Sequence, residues 1–120
     1  MYYAFQDNDN LYLVMDYLKG GDLRFHLTRH IHFSEEQSRF FICNVLVALE
    51  YIHSQDIIHR DIKPENLVLD ENGYARITDF GIAKKNSEKN KMKGDTSGTP
   101  GYMAQSVEMI PNSVSKSILG

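Results

Sequence analysis

His59-Arg60-Asp61-Ile62-Lys63-Pro64-Glu65-Asn66, with Asp79-Phe80-Gly81 further along, is the stretch on which the reading of this chain turns. From Ile57 to Asn66 charged residues, a proline and scattered apolar side chains leave no steady period, so the segment is expected to be irregular. The residues that follow change character. Leu67 to Leu69 and Tyr74 to Thr78 are short apolar-rich runs on either side of Asp70-Glu71-Asn72-Gly73, and they read as two strands joined by a turn. From Asp79 onward the pattern is that of a loop.

Working toward the N-terminus, the clearest helix begins after Ser34. Ser34 is a good N-cap, Gln37 completes a capping box, and Glu35 and Glu36 suit the positive end of a helix dipole. Phe41, Val45, Ala48 and Ile52 recur at three- and four-residue steps, which gives one apolar face and a helix ending near Ser54. Before it, Asp22 can cap a shorter helix running to about His30. Leu11 to Asp16 is apolar on both parities, as in a strand buried on both faces. Residues 2 to 5 read as the strand before it, and Lys19-Gly20-Gly21 ends the run.

The bulk properties set outer bounds. With 120 residues, 42% hydrophobic and 24% charged, the chain has the composition of a globular domain or part of one. A net charge of −3 gives no reason to expect nucleic-acid binding or attachment to a membrane surface. Cys43 is the single cysteine, which rules out an intrachain disulfide and fits a reducing compartment. The first residues carry neither a basic segment nor an apolar run, so no signal peptide is read there, and no apolar stretch is long enough to span a bilayer. A cytoplasmic location and no membrane insertion are expected. Lys84 to Lys93 holds five lysines with little to bury, and is expected to be mobile. His26, His30 and His32 raise a metal site as one reading. The spacing lacks the glutamate of a zinc-peptidase motif and no cysteine adds to it, so a solvated helix end is the reading preferred.

The loop motifs, taken in order, resemble the eukaryotic-type serine/threonine protein kinases. The resemblance covers residues 1–104 and rests on independent motifs at matching spacing. Gly20-Gly21-Asp22-Leu23-Arg24-Phe25-His26-Leu27, with Phe33-Ser34-Glu35-Glu36, is similar to the AGC group and within it to the YANK branch. Gly98-Thr99-Pro100-Gly101-Tyr102-Met103-Ala104 resembles the substrate-docking end of an activation segment. The implied fold is α+β: a partial kinase-like fold, mainly the helical large lobe with a hinge strand and a short β-hairpin.

Phosphoryl transfer needs a group that orients the hydroxyl nucleophile, cations that neutralise phosphate oxygens, and hard oxygen ligands for Mg²⁺. By the resemblance, Asp61 accepts or orients the hydroxyl proton, Lys63 stabilises the transferring γ-phosphate, and Thr99 hydrogen-bonds both. Asn66 and Asp79 are the implied metal ligands, and Gly81 is read as permitting the backbone turn after Asp79. ATP and Mg²⁺ are the implied cofactors, and proteins carrying Ser or Thr the implied substrates. Nucleotide contacts are implied at Met15 in the gatekeeper position and at the hinge backbones of Asp16 and Leu18. They are implied also at Asp22 beside the ribose, at Val68 beneath the adenine, and at Lys63, Glu65, Asn66 and Asp79.

Three departures from the family pattern bear on activity. No Gly-x-Gly occurs in the chain, and its first lysine and first glutamate, Lys19 and Glu35, already lie past the hinge. Gln105-Ser106 stand where the family has Pro-Glu, and a loose alignment puts Ser115 where it has an anchoring aspartate. Residues 105–120 are therefore read as a divergent tail. Two functions stay open: a kinase of which this chain is a truncated, weakly active or inactive fragment, and a non-catalytic, kinase-derived binding module. On the regulatory side, Asp95 is expected to pair with Arg60, with phosphate on Thr96 adding to that pair. The competing reading has Asp95 only solvating its loop.

Overall fold

The computed structural model describes residues 1–30, 32–85 and 97–104. The order of elements is β1 (Tyr3–Gln6), β2 (Leu11–Val14), α1 (Leu23–His30), α2 (Glu35–Ser54), β3 (Ile57–Ile58), a 3₁₀ turn (Pro64–Asn66), β4 (Leu67–Leu69), β5 (Ala75–Ile77) and β6 (Lys84–Lys85). Among the described residues the strands form three antiparallel pairs: β1 with β2, β3 with β6, and β4 with β5. The arrangement is α+β, as expected.

Helix α2 starts where its capping chemistry requires. The Ser34 hydroxyl accepts from the Gln37 amide at 3.1 Å, and the Gln37 side chain accepts from the Ser34 amide at 3.0 Å. Arg39 reaches back one turn to Glu35 at 2.7 Å, an exposed pair worth little by itself. Ile52 is buried, and Phe41, Val45 and Ala48 are half-covered, so the apolar face read from the spacing is the one turned inward. Asn44, on the same face, does a second job. Its Oδ1 accepts from the Ala75 amide at 2.9 Å while its Nδ2 donates to the Phe40 carbonyl at 2.9 Å. One side chain thereby fixes the edge of β5 against α2 and satisfies a backbone N–H that burial would leave without water.

The buried apolar side chains Leu23, Ile52, Leu67 and Ala75 come from α1, α2, β4 and β5, which pack on one another and on residues 57–66, the catalytic loop by the resemblance. Gly20 enters this junction because of space. A Cβ there would lie 2.5 Å from the Leu69 Cβ and 2.6 Å from its carbonyl oxygen, a separation no side chain tolerates. The close approach lets Gly20 donate to Leu69 at 3.0 Å and Leu69 donate to Gly21 at 2.9 Å, which lays the hinge-side segment along β4.

Three expectations need correction. Leu11–Val14 is a strand, but all four of its residues are exposed, because the only strand paired with it is β1 and no described element covers either face. Residues 57–66 are not wholly irregular. Ile57 and Ile58 pair with Lys85 and Lys84, and Pro64 opens a 3₁₀ turn, where its missing N–H costs nothing. The same pairing makes Lys84 and Lys85 a strand, so residues after Asp79 are not loop throughout. Residues 86–93 of the lysine-rich run, and the tail 105–120, lie outside the described residues.

Candidate active site

The site is built on the two ends of one hairpin. The β4–β5 register pairs Leu67 with Ile77, which brings the preceding Asn66 beside the following Thr78. Thr78 fixes that neighbourhood with its amide at 2.9 Å and its hydroxyl at 3.2 Å, both donated to the Asn66 carbonyl. Asp79 is the next residue. Asn66 and Asp79 are thus held close by chain geometry although thirteen positions separate them in the sequence.

His59 supplies the floor. It is 1% exposed, accepts from the Asp61 amide through Nδ1 at 3.2 Å, and donates through Nε2 to the Thr78 carbonyl at 2.9 Å. Because Nδ1 is used as the acceptor, the proton sits on Nε2, which is the tautomer that the Thr78 carbonyl needs. The ring also meets Phe80 edge-on at 4.8 Å. The catalytic loop and the Asp79 turn are therefore joined through a single imidazole.

Above that floor four side chains converge. Thr99 donates to Asp61 Oδ1 at 2.6 Å and accepts from Lys63 Nζ at 2.7 Å. Lys63 lies 3.0 Å from Asp61 Oδ2, with both side chains largely covered. Asn66 donates Nδ2 to the same Oδ2 at 3.1 Å and to the Asp61 carbonyl at 2.9 Å. A carboxylate offers about four acceptor positions. Three are taken by Thr99, Lys63 and Asn66, which leaves about one for an incoming hydroxyl. The Thr99 hydrogen bond, aided by the bonds and charge of Lys63 and by Asn66, holds the Asp61 carboxyl below its ordinary 3.8 against the opposing effect of desolvation.

Asn66 is 6% exposed, and its NH₂ group is spent on Asp61. Its Oδ1 accepts no hydrogen bond from any described residue, so a buried carbonyl oxygen is left over, as suits a hard cation. Asp79 is exposed and sits at φ 59°, with Oδ1 accepting from the Gly81 amide at 3.1 Å. The left-handed residue at this turn is Asp79, whereas Gly81 is not in that region. A Cβ on Gly81 would lie 3.0 Å from Asp79 Oδ1, a tight contact to which the Asp79 side chain would have to yield. Arg60 is also left-handed, at φ 71°, and its Nε donates to the Ile82 carbonyl at 2.6 Å. Among the described residues no three His, Cys, Asp or Glu side chains gather as a metal cage, and His26 instead contacts the Gly20 carbonyl at 2.7 Å.

The nucleotide-side residues are distributed less evenly. Asp22 forms an antiparallel bridge with Val68, so two residues implied to flank a nucleotide do lie together. The Asp22 carboxylate also accepts from the Phe25 amide at 2.8 Å and caps α1. Met15 and Asp16 lie on an exposed segment, Asp16 taking the Tyr2 hydroxyl at 2.5 Å, and Leu18 is half-buried. Glu65 is drawn sideways to Arg24 at 3.0 Å. Asp95 and Thr96 lie outside the described residues. The sequence reading missed Thr78 as the anchor of Asn66 and gave Arg24 no role at the site. Thr78 had one legible signal, its place between a strand and Asp79; Arg24 had none, since its partners lie far along the chain.

Comparison with known proteins identifies the family. The family described as Protein kinase domain matches residues 1–117. The RAC-beta serine/threonine-protein kinase of Homo sapiens is 48% identical over 105 residues, which is 88% of this chain and 22% of that protein. Serine/threonine-protein kinase 32C of Mus musculus is 45% identical over 107 residues, covering 89% of this chain and 22% of its own length. Serine/threonine-protein kinase sgk-1 of Caenorhabditis elegans is 45% identical over 107 residues, with shares of 89% and 23%. The chain thus spans about a quarter of the length of the curated relatives it matches.

Proposed function

The chain belongs to the protein kinase domain family, and on that premise we propose that the protein it comes from transfers the γ-phosphate of ATP to serine or threonine hydroxyls of proteins. The observation that carries this reading is the closed set of contacts among Asp61, Lys63, Asn66 and Thr99, in which one carboxylate keeps a free acceptor position. All the residues assigned to the reaction fall within residues 1–104, the part read as a partial kinase domain.

When bound, Mg²⁺ and ATP supply the electrophilic phosphoryl group and the positive charge that offsets its oxygens. The Asn66 oxygen and the Asp79 carboxylate are the groups that would hold the metal, and the orphaned, buried Asn66 oxygen fits that use. Asp61 orients the acceptor hydroxyl through its remaining lone pair. Its carboxyl is a weakened base, because Thr99 and Lys63 stabilise the ionised form. Asp61 therefore suits a reaction in which the nucleophile is positioned first and its proton moves late. Lys63 serves two ends: it holds Asp61 and Thr99 in place, and its ammonium stands where charge on a transferring phosphoryl group can be met. Asp22 and Val68, paired across the hinge-side segment and β4, are assigned to the ribose and base side.

Among the described residues no helix is long and apolar enough to cross a membrane. A non-catalytic binding module is the competing reading, and the same four side chains argue against it, since binding alone does not call for a constrained, ionised Asp61. The test uses the full-length protein with Mg-ATP and a Ser/Thr peptide library. Asp61→Asn is expected to cut turnover by about a hundredfold or more with ATP affinity nearly kept. Transfer that is indifferent to Asp61→Asn would sink the proposal.

A further inference from the structure

Arg24 stands at the first turn of α1 and has no role in the reaction assigned to it, yet it touches two distant segments. Its Nε donates to Glu65 Oε1 at 3.0 Å, two residues past Lys63, and its Nη2 donates to the Tyr102 hydroxyl, three residues past Thr99. Residues 99 to 102 form a tight turn, closed by the Tyr102 amide donating to the Thr99 carbonyl at 3.1 Å, with Gly101 at φ 86°. This turn is gripped at both ends. At one end the Thr99 hydroxyl lies on Asp61 and Lys63; at the other the Tyr102 hydroxyl lies on Arg24.

Glu65 explains why the second grip matters to the first. It is a carboxylate in the same short loop as Lys63, and Lys63 is a single cation on a flexible stem. Arg24 occupies Glu65 through a planar guanidinium that can serve two partners at once, which leaves Lys63 to Asp61 and Thr99. Resting on the kinase reading above, we propose that Arg24 is a positioning residue. With Glu65 and Tyr102 it forms a latch between α1, the catalytic loop and the 97–104 segment, and the latch keeps Thr99 seated on Asp61.

Arg24 and Glu65 are 43% and 42% exposed, so solvent weakens their ion pair and the effect expected is modest. In the full-length protein Arg24→Ala should lower kcat by about fivefold while KM for ATP stays unchanged. Hydrogen exchange of the Tyr102 amide should rise by a similar factor, because the turn loses a side-chain anchor. Tyr102→Phe removes a single oxygen and little packing, and should reproduce most of both changes. Arg24→Lys, which supplies charge without the planar fork, should restore them only in part. Because the two residues act through one link, the double variant should be no worse than Arg24→Ala. Unchanged exchange in Arg24→Ala would overturn the latch, and that reading does not depend on the protein being a kinase. Exchange that rises while kcat holds would overturn the positioning role, as would single effects that add in full. Absence of Asp61-dependent transfer in the wild type would instead strike the kinase reading, with the exchange measurement still reporting on the latch.

Discussion

The N-terminal β1–β2 hairpin and the loop–hairpin unit of residues 57–85 are both regular and both strongly patterned, and they differ in where their interactions end. In the first, residues 3–6 and 11–14 are all exposed. Its ladder, an Asp7 turn and a Phe5–Tyr12 ring stack at 5.0 Å are all local to the hairpin. The second unit has buried residues at His59, Asn66, Leu67 and Ala75, and its polar groups reach α1, α2 and residues 97–104. A two-stranded hairpin without a covered face is marginal in water. The apolar run at Leu11 to Met15 therefore records a surface to be covered, and the described residues do not cover it. The loop–hairpin unit instead finds polar partners in the elements around it.

The largest effect that would break this contrast is catalytic. The 120-residue chain alone should transfer phosphate at least about a hundredfold more slowly than the full-length protein, because loss of one preorganised charge-stabilising contact already costs that much. Asp61-dependent turnover by the isolated chain at the full-length rate would show that the exposed hairpin side needs no completion. A smaller effect separates the two regions by stability. Ile52, 8% exposed behind the catalytic loop, should cost about 2–4 kcal/mol on truncation to Ala. Leu13, 50% exposed on β2, should cost within about 0.5 kcal/mol in the isolated chain. Denaturant melts of the two variants check this; an equal loss at Leu13 would mean that its strand is packed after all. If the isolated chain gives no measurable transition, exchange protection near residues 13 and 52 makes the same comparison.

The smallest effect concerns pH. Asp61 has a folded-state pKa lowered by Thr99 and Lys63, so its contribution to stability is fully present above the unfolded-state value, near 3.8. It should be lost as pH falls through the depressed folded value. The stability difference between the wild-type full-length protein and Asp61→Asn should therefore be flat from neutrality down to about 4 and shrink only below that. A difference that disappears between neutrality and 5, roughly, would mean the carboxyl is not held ionised by its partners.

Helix α2 was legible almost to the residue, because a capping box and a three–four period are local signals that no later contact contradicts. The β4–β5 hairpin was legible for the same reason: Asp70 through Gly73 supplies its own turn chemistry. Short pairings such as Ile57–Ile58 with Lys84–Lys85 were not, since two residues carry no period and their partner is far away. Gly81 was read as the flexible point of its turn, but the left-handed residue there is Asp79, a backbone choice that leaves no trace in spacing.

The sequence by itself determined which groups are on hand for the proposed chemistry: a carboxylate, a lysine, an amide and a second carboxylate, at spacings set by one loop and one hairpin. Only the tertiary structure decided how they are used. Thr99 and Lys63 are 36 positions apart in sequence yet share a hydrogen bond, Asn44 holds Ala75 across 31, and Arg24 meets Tyr102 across 78. The physical reason is range. Propensity, capping and turn chemistry act within a few residues, whereas burial, charge pairing and the choice of partner for each polar group depend on which distant segments the fold brings into contact.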